Sequence, residues 1–135
     1  MADIAFLARH ATSTPTRVAL ISGDKEIDFG TLNRRANQAA NVFRDLGCVA
    51  QDRVAVMSFN SVEGFEISNA LRKVGLVGVP VNYRLRGAEI AYVLNDSGAR
   101  MVLVGPEHVE AVESARAEVA GDLRFITLGG GAPAG

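Results

Sequence analysis

Two spacings of apolar residues alternate along this chain, and the stretch from Asn60 to Leu85 shows both. Phe65, Ile67, Ala70, Leu71 and Val74 form one apolar helix side, while Glu63, Glu66, Asn69, Arg72 and Lys73 form a wettable one. Asn60 or Ser61 stands where a cap can accept a bond from an unpaired backbone N–H, and Glu63 suits the positive end of the helix dipole. Gly75 falls where a helix ends in a left-handed residue. Leu76 to Val81 is then apolar without alternation, the pattern of a strand covered on both faces. Pro80 qualifies that reading, because proline cannot donate to a ladder and belongs at an edge or a strand end.

The same alternation predicts the other elements. Residues 4–11 read as a short helix ended by Thr12-Ser13-Thr14-Pro15. Val18–Ile21 and Glu26–Asp28 read as strands joined by Ser22-Gly23-Asp24-Lys25, residue types that make a tight hairpin turn. Asp28 can cap a helix running to about Leu46, with Gly47 as its stop. Leu32, Ala36, Ala39, Phe43 and Leu46 would face inward, and each large side chain buried contributes about 1.5–3 kcal/mol. Arg53–Ser58 is a strand; Ala88–Asn95 is a helix with Ile90, Ala91 and Leu94 inward, broken by Asp96-Ser97-Gly98. Met101–Val104 is a buried strand, Glu107–Val119 an amphipathic helix on Val109, Val112, Ala115 and Val119, and Leu123–Thr127 a last strand.

Four strand units alternating with helices predict an α/β fold: a mainly parallel sheet with helices on both faces, plus a peripheral N-terminal hairpin. Residues 1–128 read as one α/β domain. Gly129–Gly135 reads as a flexible Gly/Ala/Pro linker at a truncation point.

Composition narrows the function classes. The chain has 135 residues, 48% apolar and 21% charged, with a formal charge of −1, values ordinary for a soluble globular protein. No basic face is implied, so nucleic acid and an anionic membrane have no compositional support, and neither a nucleic-acid partner nor a membrane span is expected. Arg72, Lys73, Arg84 and Arg86 read as a solvated face. No run approaches the ~20 apolar residues of a membrane span, and no basic leader opens the chain. Cys48 is the single cysteine, so neither an intrachain disulfide nor a cysteine metal site is available. A cytoplasmic location is the expectation. The 12 arginines against 2 lysines suit a bacterial, GC-rich source. His10 and His108 sit in no ligand-spaced cluster, and each reads as an exposed or locally bonded imidazole.

Known catalytic patterns are missing. No phosphate loop of the G-x-x-x-x-G-K-[ST] kind, no dinucleotide fingerprint and no G-x-S-x-G elbow occurs. Catalytic, cofactor-binding and metal residues are therefore expected to number none.

Resemblance carries the reading further. Ile27-Asp28-Phe29-Gly30-Thr31-Leu32 resembles the first core motif of the adenylate-forming superfamily. The run Leu71-Arg72-Lys73-Val74-Gly75-Leu76-Val77-Gly78-Val79-Pro80-Val81-Asn82 resembles its second, and Asn82-Tyr83-Arg84-Leu85 and Leu94–Ala99 resemble its continuation. The similarity runs from about residue 4 to 127. Asn82 after Val-Pro-Val is more like acyl- and aryl-CoA ligases, where amino-acid-activating domains more often place aspartate. Arg86-Gly87-Ala88 departs from the Thr-Pro-Glu helix start that is common in the family, and Gly30 sits early in its helix.

The resemblance implies the N-terminal subdomain of the adenylate-forming ligase fold. It implies a parent that joins a carboxylic acid to coenzyme A through an acyl-adenylate, using ATP and Mg and releasing AMP and pyrophosphate. It implies as partners the remainder of the ligase chain, a small-molecule carboxylic acid, and a homo-oligomer as an option. It implies structural roles for Asp28, Phe29, Leu32, Gly75, Pro80, Asn82 and Arg84, with the catalytic parts elsewhere. An amino-acid- or other acid-activating domain, and a stand-alone non-catalytic α/β interaction module, stay open as alternatives.

Overall fold

A computed structural model describes residues 5–128. Residues 129–135, read above as a linker, lie outside the described residues, as does residue 4 at the start of the first expected helix. The chain divides into two compact units, Met1–Ala50 with Asn60–Leu76, and Gln51–Phe59 with Val77–Gly135.

The first unit holds three helices and a hairpin. Helix α1, Phe6–Ser13, runs two residues past its expected end. The hydroxyls of Thr12, Ser13 and Thr14 donate to the carbonyls of Ala8, Arg9 and His10 at 3.0, 3.0 and 3.2 Å. The His10 carbonyl also accepts the Thr14 backbone N–H at 2.8 Å, so these hydroxyls share carbonyls inside the last turns, a back-bonding that slightly destabilises a helix. Strands β1, Val18–Ser22, and β2, Lys25–Asp28, pair antiparallel with Ser22 opposite Lys25. Gly23 has φ +63° in the two-residue turn, the conformation that matches the twist of a hairpin.

Helix α2, Phe29–Asp45, begins where Asp28 Oδ1 accepts from the Thr31 N–H at 2.7 Å. Leu32 and Ala36 pack with Leu7, and Ala19, Leu20, Ile27 and Phe29 edge that cluster. Ala40 is buried in place of the expected Ala39, which is half-buried. The reason lies in helix α3, Val62–Val74, which packs on α2 and places Lys73 Nζ 2.8 Å from Asn33 Oδ1. At about 100° per residue, Ala40 lies about 20° from Asn33 around α2 and Ala39 about 120° away. Arg35 Nη1 also meets Glu66 Oε1 between the two helices at 3.1 Å.

Ser61, of the two candidates, caps α3: its Oγ accepts from Gly64 N–H at 3.0 Å. Gly75 ends the helix at φ 76°, ψ 26°, and Leu76 N–H donates to Leu71 O at 2.9 Å. Ala70 and Leu71 face inward as expected, but Phe65 is 51% exposed. It points about 120–140° away from those two positions around the helix, beside Leu20, Ile21 and Val62.

The second unit is built on a four-stranded parallel sheet in the order β4-β3-β5-β6. Its strands are β3 (Arg53–Met57), β4 (Val77–Pro80), β5 (Met101–Val104) and β6 (Arg124–Thr127). Ala55 sits between Val79 and Val102, and Val102 between Ala55 and Phe125. Strand β5 is buried throughout. Strand β4 is an edge, with Val77 39% exposed, so the expectation of a strand covered on both faces fails there. Pro80, its last residue, therefore sits where proline is tolerated.

One face of the sheet carries Ala55, Met57, Val102 and Val104. Helix α4, Gly87–Ser97, packs Ile90, Ala91 and Leu94 into that cluster and ends at Gly98, φ 68°. The expected helix over 107–119 is broken. Residues Pro106–His108 and Arg116–Glu118 are 3-10 turns, and only Val109–Glu113, α5, is α-helical. Asn95 explains the early end: its Nδ2 donates to Glu118 O at 3.0 Å and its Oδ1 accepts from Ala120 N–H at 2.8 Å. Those backbone groups find partners outside a helix, and the β-branched Val109, Val112 and Val119 resist a longer one. Val112 and Ala115 still reach the core.

Gly75→Val is expected to lower stability by about 1–3 kcal/mol, because a β-branched residue at positive φ is strained. A Cβ there would meet Ala50 at ordinary contact distance, its Cβ at 3.5 Å and its Cα at 3.9 Å, so the cost is conformational. Denaturant melts of mutant and parent that superimpose would refute the left-handed assignment.

Candidate functional site

Open parallel sheets bind ligands outside the carboxyl ends of their strands, because loops of several strands meet there. In the second unit those loops are Ser58-Phe59 after β3, Val81-Asn82-Tyr83 after β4 and Gly105–His108 after β5. Phe59, Tyr83 and His108 form a cluster of three rings. Phe59 meets Tyr83 edge-on at 4.8 Å and His108 edge-on at 4.5 Å, and Tyr83 stacks on His108 at 5.6 Å.

Backbone chemistry sets each part of this cluster. Asn82 Oδ1 accepts from the Arg84 N–H at 2.9 Å, a side-chain turn that throws Tyr83 outward. The Arg84 guanidinium lies 5.8 Å from the Tyr83 ring centre. Arg86 opens α4, and its Nη1 donates to the carbonyls of Tyr83 and Leu85 at 3.0 and 2.9 Å. Glu89 Oε2 accepts from the Arg86 N–H at 3.2 Å. Gly105 brings the chain close to β3: a Cβ on it would stand 3.3 Å from Ser58 Cβ and 3.1 Å from Glu107 Oε2. Its φ of −61° suits any residue, so glycine is needed for space.

Beside the rings lies a cleft of about 380 Å³ lined by Arg86, Glu107, His108, Glu110, Ala111 and Ser114. His108 is only 6% exposed, and its Nε2 has no hydrogen-bond partner among the described residues. This corrects the expectation of an exposed or locally bonded imidazole. No signal in the sequence marked it, because a lone histidine after a strand carries no periodicity, and its burial comes from rings 25 and 49 residues away.

Of the motif residues, Pro80, Asn82 and Arg84 stand at this end of the sheet. Asp28, Phe29, Leu32 and Gly75 belong to the first unit, at a helix cap, against His10 at 5.0 Å, in the core and at a helix end. The Asp28 carboxyl is held below the usual carboxylate range by the Thr31 N–H and then by the Thr31 hydroxyl. Burial pushes the Lys73 amine down.

Magnesium and ATP do not fit the residues present. Glu107 and Glu110 in the cleft oppose a polyphosphate, and among the described residues no three His, Cys, Asp or Glu side chains converge on a metal position. Of the lysines, Lys73 is tied to Asn33, and Lys25 lies in the hairpin. Nor is any helix among the described residues long and apolar enough to cross a membrane.

Comparison with known proteins supplies what the cleft does not. The AMP-binding enzyme family matches residues 7–130. Long-chain-fatty-acid–CoA ligase FadD13 of Mycobacterium tuberculosis is 34% identical over 114 residues, 83% of this chain and 23% of that protein. Feruloyl-CoA synthase of an Amycolatopsis species is 36% identical over 104 residues, 77% of this chain and 21% of that protein. The solved Mycobacterium tuberculosis fatty acyl CoA synthetase superposes with a TM-score of 0.87 at 32% identity, over 93% of this chain and 26% of that one. The chain thus spans about a quarter or less of the length of these relatives.

Two substitutions check the local geometry. Gly105→Ala is expected to cost about 1–3 kcal/mol by overpacking against Ser58, and an unchanged denaturant midpoint would refute the close approach. Asp28→Ala is expected to lower the melting temperature at neutral pH. Because the folded carboxyl lies below its unfolded value of about 3.9, its contribution is complete above that pH and lost as pH falls through the folded value. Thermal melts should show the gap between parent and Asp28→Ala closing in acid; a gap constant with pH would refute the charged cap.

Proposed function

Because the chain belongs to the AMP-binding enzyme family, we propose that it serves as the N-terminal scaffold of an AMP-forming acyl-CoA ligase. The parent activity in this reading joins a carboxylic acid to coenzyme A through an acyl-adenylate, with ATP consumed and AMP and pyrophosphate released. The observation that carries it is the match over residues 7–130, which includes both motif runs, and the sequence itself has Asn82, not aspartate, after Val79-Pro80-Val81. The scaffold reading is supported by the sequence, in which no G-x-x-x-x-G-K-[ST] phosphate loop occurs, and groups that stabilise phosphate charge are worth orders of magnitude in rate. The residues of this chain instead hold helix ends, the parallel sheet and the loops at its carboxyl end.

The first test asks whether residues 1–135 alone catalyse acid-dependent pyrophosphate exchange with Mg-ATP; the expected result is none above background. The second replaces the matching segment of the Mycobacterium tuberculosis ligase FadD13 with this chain. Acid- and coenzyme A-dependent release of AMP by the hybrid is expected. A hybrid that melts cooperatively yet stays at background would overturn the ligase reading, and exchange by the isolated chain would overturn the scaffold role.

A further inference from the structure

Lysine is scarce in this chain, and its two lysines, Lys25 and Lys73, sit in opposite surroundings. Lys25 opens β2 beside the hairpin turn and is exposed. Lys73 stands in the last turn of α3, three residues after the fully buried Ala70, so its stem runs along the inward side of that helix. Its Nζ crosses to α2 and donates to Asn33 Oδ1 at 2.8 Å. Both residues are half-buried.

An ammonium withdrawn from water is ordinarily paired with a carboxylate. Lys73 has instead a neutral amide as its hydrogen-bond partner among the described residues. The charged groups near it on the two helices are committed elsewhere or face water. Arg35 pairs with Glu66 at 3.1 Å, Arg34 turns to Thr31 at 3.5 Å, and Arg72 is exposed. Burial holds this amine below the usual lysine range, so more of it is neutral at a given pH. A neutral, partly desolvated amine is the form that attacks carbonyl carbon.

We propose that Lys73 is an acyl-acceptor site, modified by acyl thioesters of the class that the ligase reaction releases. The choice of donor rests on the ligase reading; the site itself does not. The Nζ lone pair attacks the thioester carbonyl carbon, the C–S bond breaks, and the leaving thiolate takes up the proton that the nitrogen sheds. The products are an Nζ-acyl amide on Lys73 and free coenzyme A. The amide is uncharged, so the modification removes the cation that α3 extends to α2.

The test incubates the 135-residue chain with acetyl-CoA and follows acetyl-lysine at each position by mass spectrometry, after hydroxylamine has cleaved any thioester adduct. At neutral pH Lys73 is expected to acetylate at least about threefold faster than Lys25, the internal standard. Above the ordinary lysine value of about 10.4 both amines are neutral, and the advantage should disappear. Asn33→Asp, close to the parent side chain in size, supplies the missing carboxylate. It should hold the ammonium and bring Lys73 to the Lys25 rate or below at neutral pH. If Asn33→Asp does not fold, the pH dependence in the parent chain decides the matter. The proposal is overturned by equal rates at neutral pH, or by a rate ratio that ignores pH or the Asn33→Asp change. Acetyl-CoA is supplied, so the two readings fail separately. An inactive FadD13 hybrid leaves the Lys73 result standing, and slow acetylation of Lys73 leaves the ligase reading standing.

Discussion

Parallel pairing of β5 with β3 on one side and β6 on the other is the constraint on which the second unit depends. Parallel strands cannot be joined by a tight turn, so each pair requires a long return of chain. All returns leave from the same end of the sheet. The loops after β3, β4 and β5 therefore meet there whatever their sequence, and the ring cluster, the Asn82 turn and the close approach of Gly105 to Ser58 follow from that meeting. Strand β5, buried along its whole length, anchors the arrangement.

The first unit rests on local chemistry to a greater degree. Its longer helices begin at side-chain oxygens, Asp28 and Ser61, and end at positive-φ glycines, Gly47 and Gly75. Such ends satisfy groups that would otherwise stay unpaired, and they stop each helix at a defined residue. Arg35 with Glu66, and Lys73 with Asn33, then set how α3 lies along α2. The ion pair is partly exposed and contributes little stability. Its effect is on register.

Two kinds of chemistry are separated in this chain. The family match covers residues 7–130, and the cleft at the end of the sheet is lined by the Glu107 and Glu110 carboxylates, the Arg86 guanidinium and His108. The motif runs that mark the family serve turns, caps and core positions here, which explains why their residue types are glycine, proline, leucine and capping side chains.

Periodicity and capping residues alone determined most elements of this protein, since both act within a few residues. The cap at Asp28, the glycine ends at residues 47, 75 and 98, the inward Ile90, Ala91 and Leu94, and the hairpin turn are all of this kind, whereas the structure chose Ser61 over Asn60. Family motifs were legible for the same reason, being runs of adjacent residues. Tertiary structure alone decided the strand order, and with it the edge position of β4. It chose Ala40 over Ala39 by placing α3 beside Asn33, and it ended the last helix early by setting Asn95 against Glu118 and Ala120. It also buried His108 between rings from two other loops. Each of these outcomes depends on partners tens of residues away, whose approach is governed by the pairing of strands and the packing of helices and not by any local spacing.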